Sequence, residues 1–207
     1  MNKGRVFILS GPSGIGKDTV LKELLKRNDN IRLSISSVTR EPREGEVNGV
    51  KYNFITREAF EKMLSNDELL EHNVYCGNYY GTPKKPVENW LKEGRDVILE
   101  IDVNGAEHIR KKLPQAISVF MMPKSMEVLY QRLSGRGTEK PEIIKMRLEQ
   151  AVYEISRAKE YDFVFINDEL EDAVNDFYAI IRANALLKDN MTDKINEVLE
   201  DAESFNC

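Results

Sequence analysis

Three groups of residues have the types and spacing to do chemistry. The first is Gly11-Pro12-Ser13-Gly14-Ile15-Gly16-Lys17-Asp18-Thr19, directly behind the apolar run Val6-Phe7-Ile8-Leu9. A buried strand, a glycine-rich loop and a helix in that order make a phosphate site. The glycines let successive N–H groups point inward, the helix adds its positive end, and Lys17 reaches the β- and γ-phosphates. Position 18, where a hydroxyl normally meets Mg²⁺, carries Asp18, and Thr19 follows it. Asp18 could bind the ion directly, turn away, or weaken nucleotide binding, and the pattern leaves all three open.

The second group is Ser36 through Gly49, with Tyr52 just beyond. Arg40 and Arg43 are three apart around Glu41-Pro42, in a segment with no helical apolar face. Two guanidinium forks and a phenol can grip a phosphate dianion. On spacing alone, two solvated surface arginines are the commoner outcome. The third group, Glu71 through Pro83, holds a carboxylate, several phenols and a hydroxyl. A guanine presents N1–H and N2–H₂ side by side, and one carboxylate accepts both. An adenine edge would leave that carboxylate unpaired if it were buried. The bland alternative for Glu71 is a solvated charge at a strand end.

These groups need elements to position them. Val97-Ile98-Leu99, Ile117-Ser118-Val119-Phe120 and Phe163-Val164-Phe165-Ile166 read as further buried strands. Helical patterns fall at 17–27 and near 105–113, 125–134, 141–159 and 170–187. Strands spaced by helices predict an α/β fold with a parallel sheet covered on both faces. Between Leu33 and Thr82 the rhythm breaks. Strand-like pieces at 33–36, 52–55 and 69–75, turns at Gly45, Asn48-Gly49 and Gly77-Asn78, and one helix at about 57–65 predict an inserted α+β subdomain. After Lys188, Ile195, Val198 and Leu199 have helical spacing, consistent with a docked or a fraying helix.

Composition excludes several classes. The 207 residues suit one domain, perhaps with a small insert, and 41% hydrophobic and 31% charged residues suit an ordinary globular chain. No apolar run approaches the ~18 residues of a membrane helix, and the N-terminal apolar run is too short for a signal peptide. The net charge is −5, and the segment from Lys188 onward carries −4 of it. That leaves a near-neutral body in which a basic pocket can exist, and no basic stripe with interleaved aromatics for nucleic acid. Two cysteines, Cys76 and Cys207, form neither a disulfide framework nor a zinc pattern, and suit a reducing compartment.

Taken together, the motifs resemble the guanylate kinase family of ATP:GMP phosphotransferases. The matching pieces are the phosphate loop, Ser36 through Gly49, Gly77-Asn78-Tyr79-Tyr80-Gly81-Thr82, Glu100 through Gly105, Arg132 through Glu139, and Asn167-Asp168. They occur in family order across roughly residues 4–187. The run from Thr39 through Tyr52 followed by Gly-Asn-Tyr-Tyr-Gly is specific enough to replace the solvated-arginine reading.

The resemblance implies a P-loop parallel-sheet core at 1–33 and 84–187, a GMP-binding insert at 34–83, a helical lid at about 125–155, and an acidic tail at 188–207. It implies that Arg40, Arg43, Tyr52 and Tyr80 hold the GMP phosphate. Glu71, Ser36 and Thr82 then read guanine, with Asp102 accepting from the amino side. Gly11 through Thr19, Arg132 and Asn167 surround ATP. Lys17, Arg40, Arg43, Arg136 and Arg147 form the catalytic charge set. Mg²⁺ travels with ATP, near Asp18 and Thr19. The departures are Asp18 itself, Val38, His72 and Asn104, of which only Asp18 touches the chemistry. A phosphate nucleophile needs no general base.

The expectation is therefore a cytoplasmic transferase of purine nucleotide metabolism. It would use ATP and GMP, with dGMP left open, as a monomer or homodimer without nucleic-acid or membrane partners. The rivals are a binding module of the same fold that has lost catalysis, for which Asp18 alone speaks, and a same-fold kinase for another phosphorylated acceptor.

Overall fold

The structure is a computed structural model that describes residues 3–43, 45–75, 77–135 and 140–204. In chain order its elements are β1 (Val6–Ser10), α1 (Lys17–Arg27), β2 (Ile31–Leu33), β3 (Ser36–Val38), β4 (Tyr52–Phe54), α2 (Arg57–Ser65), β5 (Leu69–Tyr75), β6 (Asn78–Pro83) and α3 (Lys84–Lys92). There follow β7 (Asp96–Glu100), α4 (Val103–Lys112), β8 (Ile117–Met122), α5 (Met126–Ser134), α6 (Pro141–Ser156), a 3₁₀ turn (Arg157–Glu160), β9 (Phe163–Ile166), α7 (Leu170–Ala185) and α8 (Lys188–Ser204).

Five strands form a parallel sheet in the order β2-β7-β1-β8-β9. The central strand β1 is buried along its whole length, as an uninterrupted apolar run between helical layers must be. Its side chains alternate between two cores. Phe7 and Leu9 join Val20, Leu21 and Leu24 of α1 and Phe177 of α7. Val6 and Ile8 join Val87 of α3 and Val103, Ala106 and Ile109 of α4 on the other face. Each fully buried side chain of this size removes from water an area worth about 1.5–3 kcal/mol, so the two cores hold the sheet, and hence the loop behind β1, in place.

A second, four-stranded sheet has the order β4-β3-β6-β5, with β3 and β4 parallel and the other pairs antiparallel. Phe60 of α2 is fully buried and stacks on the ring of Tyr79 at 5.1 Å. The strand-like piece read at 33–36 is two strands. Leu33 ends β2 in the core sheet, and Ser36 begins β3 in the second. The short apolar stretch spans the passage between sheets, which no local pattern marks. Helix α3, with Val87 buried inside it, has no counterpart among the elements read from the sequence. The helix read through 159 ends at Ser156 and tightens into the 3₁₀ turn.

Among the described residues no helix is long and apolar enough to cross a membrane.

Candidate active site

The phosphate loop leaves β1 and enters α1 through Gly16, whose φ of 97° is open to glycine and strained for other residues. A side chain there would also meet Asn167 Nδ2 at 2.9 Å. Ile15 anchors the loop from below, buried in the core shared by α1 and α7. Its carbonyl accepts from Asn167 Nδ2 at 2.7 Å and from Arg132 Nη1 at 3.1 Å, and Arg132 Nη2 donates to the Asp168 carbonyl. Arg132 and Asn167, expected close to ATP, thus clasp the loop backbone itself. Lys17 Nζ donates to the carbonyls of Gly11 at 2.6 Å and Pro12 at 3.3 Å. Ser13 and Thr19 are exposed.

The register of the second sheet brings the acceptor-side residues into one corner. Ser36 lies opposite Tyr52, and Val38 opposite Tyr80. The rings of Tyr52 and Tyr80 meet edge-on at 6.1 Å. The Arg40 guanidinium lies 5.2 Å from the Tyr52 ring centre and 5.4 Å from that of Phe54. Its fork donates to both Glu46 oxygens, at 2.6 and 2.8 Å, and Glu46 also accepts from the Arg43 amide at 2.8 Å. The Arg40 hydrogen bond draws the Glu46 pKa down to about 2 against a modest burial penalty, so Glu46 stays ionised across the working range. Arg43 itself is exposed.

Glu71 occupies a different environment. It is 8% exposed and Thr82 Oγ1 donates to its Oε1 at 2.6 Å. The β5–β6 pairing changes register between Leu69 and His72, the stretch that contains Glu71, and such irregularities re-aim side chains. Burial pushes the Glu71 pKa up to about 7. The Thr82 hydrogen bonds pull it down, and the nearby Asp102 charge pushes it up. Its other oxygen faces Gly105, where a Cβ would stand 2.8 Å from Oε2. Asp102 is exposed and bonded on both oxygens. Oδ1 caps α4 by accepting from Gly105 N at 2.7 Å, and Oδ2 accepts from Asn73 at 2.6 Å.

Between the loop and this corner lie groups that sequence reasoning did not assign to the site. Glu100, at the end of β7 beside β1, is partly buried and carries a raised pKa. Burial is the main cause, opposed by Lys17 and Lys51 and reinforced by Asp18. Lys51 Nζ donates to both oxygens of Asp18. Glu154 on α6 holds an Oε2 that is buried without a hydrogen-bond partner among the described residues. Its pKa is raised by burial, against a Gln150 hydrogen bond and the charge of Lys17. The available signal for Glu100 was its place at the end of an apolar strand, a carboxylate where the run Val97-Ile98-Leu99 stops. For Lys51 and Glu154 no sequence signal existed.

Arg147 lies on α6 seven residues before Glu154, two helical turns along the same face, with Ile144 and Ala151 of that face buried. Arg136, the other expected lid arginine, falls outside the described residues. The candidate residues thus fall at the loop behind β1, with Lys17, and in the second sheet, where Arg40 meets Tyr52 and Tyr80 and Glu71 meets Thr82, and the Lys51–Asp18 pair spans the two. Asp102 is set beside Glu71 as a helix cap.

The family model described as guanylate kinase matches residues 3–184. The chain belongs to the guanylate kinase family. Among relatives, the guanylate kinase of Carboxydothermus hydrogenoformans is 51% identical over 186 residues, covering 90% of this chain and 91% of that one. That of Clostridium perfringens is 44% identical, covering 97% and 93%. The crystal structure of guanylate kinase from Anaplasma phagocytophilum superposes with a TM-score of 0.76 at 35% identity, covering 90% of this chain and 89% of that one.

Proposed function

We propose that this guanylate-kinase-family chain transfers the γ-phosphoryl group of ATP to GMP, giving ADP and GDP. The observation that carries the reading is Glu71, a buried carboxylate with one oxygen held by Thr82 and the other set against Gly105, whose lack of a side chain leaves it room. A guanine edge supplies the N–H pair that such a carboxylate lacks, and an adenine edge does not. Ser36 stands on β3, next to the strand β6 that carries Thr82, and Asp102 flanks the amino side.

The acceptor phosphate belongs at Arg40, Arg43, Tyr52 and Tyr80. Glu46 keeps the Arg40 fork aligned and gives way to a dianion, which offers the same paired oxygens with more charge. The acceptor is its own nucleophile. A phosphate monoester's second pKa is about 6, so its oxygens are largely ionised near neutrality and no side chain need remove a proton. Lys17 leaves the loop carbonyls for the β- and γ-phosphates, and Arg147 and Arg136 reach the transferring group from the lid. Catalysis is then positioning and charge neutralisation, with lid closure excluding water.

Mg²⁺ fits the donors present. Glu100 and Thr19 offer hard oxygens beside the loop, while both oxygens of Asp18 are held by Lys51. No group of three or more ligating side chains forms a cage among the described residues, as suits an ion held largely by substrate phosphates and water. Bound there, it would neutralise charge on the β- and γ-phosphates. Asp18 can meet it only by releasing Lys51.

The reading is tested by ADP production from ATP and Mg²⁺ with GMP, AMP, CMP and UMP as separate acceptors. Turnover with GMP alone is expected. Equal turnover with AMP would remove the guanine role of Glu71, and no turnover with any acceptor would favour a binding module. Lys17→Ala should abolish most turnover, and activity within a few-fold of the parent would sink the phosphate-loop assignment. The chemistry suits a cytoplasmic protein, as does a sequence with no disulfide-framework cysteine pattern, and fractionation tests that.

A further inference from the structure

We propose that Lys51 is a positioning residue for the ATP half-site. Its ammonium covers the Asp18 carboxylate, so that an acid at the first turn of the phosphate-loop helix does not repel the incoming phosphates. The inference rests on assigning Gly11 through Thr19 to ATP. Asp18 lies on α1, and Lys51 stands just before β4 in the second sheet. Their ion pair therefore ties the nucleotide loop to the acceptor corner.

Both side chains are part-exposed, 38% for Lys51 and 65% for Asp18. An ion pair this wet adds little to folding, so its use has to be sought in the site. The Lys51 ammonium also lies 5.7 Å from the centre of the Tyr52 ring, which fixes its direction from the other side. Glu100 feels Lys17, Lys51 and Asp18, and Lys51 feels Asp18 and Glu100, so two bases stand against two acids around the pair. Removing Lys51 would leave two acids and one base where four negative charges of ATP must settle. Removing Asp18 as well would restore the balance. The pair is thus expected to behave as one unit.

Four proteins test this: Lys51→Ala, Lys51→Arg, Asp18→Ser and the double variant Asp18→Ser/Lys51→Ala. ATP affinity is measured by calorimetry in EDTA, beside steady-state KM values for ATP and GMP with Mg²⁺. Lys51→Ala should weaken metal-free ATP binding about tenfold, the scale of one uncovered charge at a part-exposed site. It should raise the ATP KM more than the GMP KM. Lys51→Arg should restore both, and the double variant should bind ATP about as well as Asp18→Ser alone.

An equal loss from Lys51→Ala in both backgrounds would overturn the proposal, since Lys51 would then act on phosphate directly. No loss in the parent background would overturn it too. So would a collapse of Mg²⁺-dependent turnover in Asp18→Ser with metal-free ATP affinity intact, which would make Asp18 a metal ligand. Failure of the loop assignment shows separately, as a Lys17→Ala protein that binds ATP like the parent.

Discussion

Glu71 is the residue on which the proposed guanine recognition and stability pull in opposite directions. Its pKa rises from 4.5 to about 7 on folding, mainly through burial. A carboxyl raised in this way favours the fold fully below pH 4.5, and the benefit is lost as pH climbs through 7. At pH 8 the ionised group costs the fold on the order of 3 kcal/mol, taking about 1.4 kcal/mol per pKa unit. Glu71→Gln keeps the shape and an acceptor for the Thr82 hydroxyl while removing the charge. It should melt higher than the parent at pH 8 and nearly level with it at pH 5, as followed by calorimetry without ligand. The same change should raise the KM for GMP strongly and leave that for ATP almost unmoved. The sign of the parent's pH dependence follows. Guanine needs the ionised acceptor, so the GMP KM of the parent should rise as pH drops below 7. The Gln variant should lose that rise relative to the parent, leaving only what protonation of the substrate phosphate contributes.

At the scale of elements, α4 shows how a helix start serves a site on a neighbouring sheet. Asp102 caps it through Gly105 N, and Gly105 gives Glu71 its space. By helix propensity alone, Gly105→Ala would stabilise the helix by up to about 1 kcal/mol. The added Cβ would meet only the tip of the flexible Glu71 side chain, which can swing aside. The expected result is a protein that folds about as well as the parent, by thermal melt, but whose GMP KM rises with the ATP KM unchanged. A large loss of stability would mean that Glu71 cannot move. The elements were largely legible in sequence because periodicity is local. The 57–65 helix has Phe60 inward as its apolar pattern demands, and β1, β7, β8 and β9 are plain apolar runs. Helix α3 escaped notice because Val87, Trp90 and Leu91 form a short stripe behind Pro86. The 33–36 break escaped because the change of sheet is a tertiary event.

For the whole molecule, charge and site are separate. Helix α8 carries most of the chain's net negative charge. It packs mainly against α7, and leaves Ile195, Val198 and Leu199 exposed. None of the residues assigned to ATP or GMP lies on it. Ending the chain after Leu187 should therefore leave GMP-dependent turnover unchanged while moving the net charge from −5 to −1, read by assay and by ion-exchange retention. Loss of activity would place α8 in the working fold.

The phosphate loop, the α/β alternation and the run that carries Arg40 and Arg43 are legible in the residues alone. The first two are written in contiguous spacing, which dictates backbone shape and side-chain direction, and the third in a motif read through its resemblance to the family. Folding chose which distant groups face one another. It set Lys51 on Asp18 across 33 residues and Ile15 under Asn167 across 152 residues. It also made Glu71 a buried acid against Gly105, and brought Glu154 within reach of the charge of Lys17. Burial and long-range charge contact arise from how the two sheets close on each other. No window of sequence contains both partners.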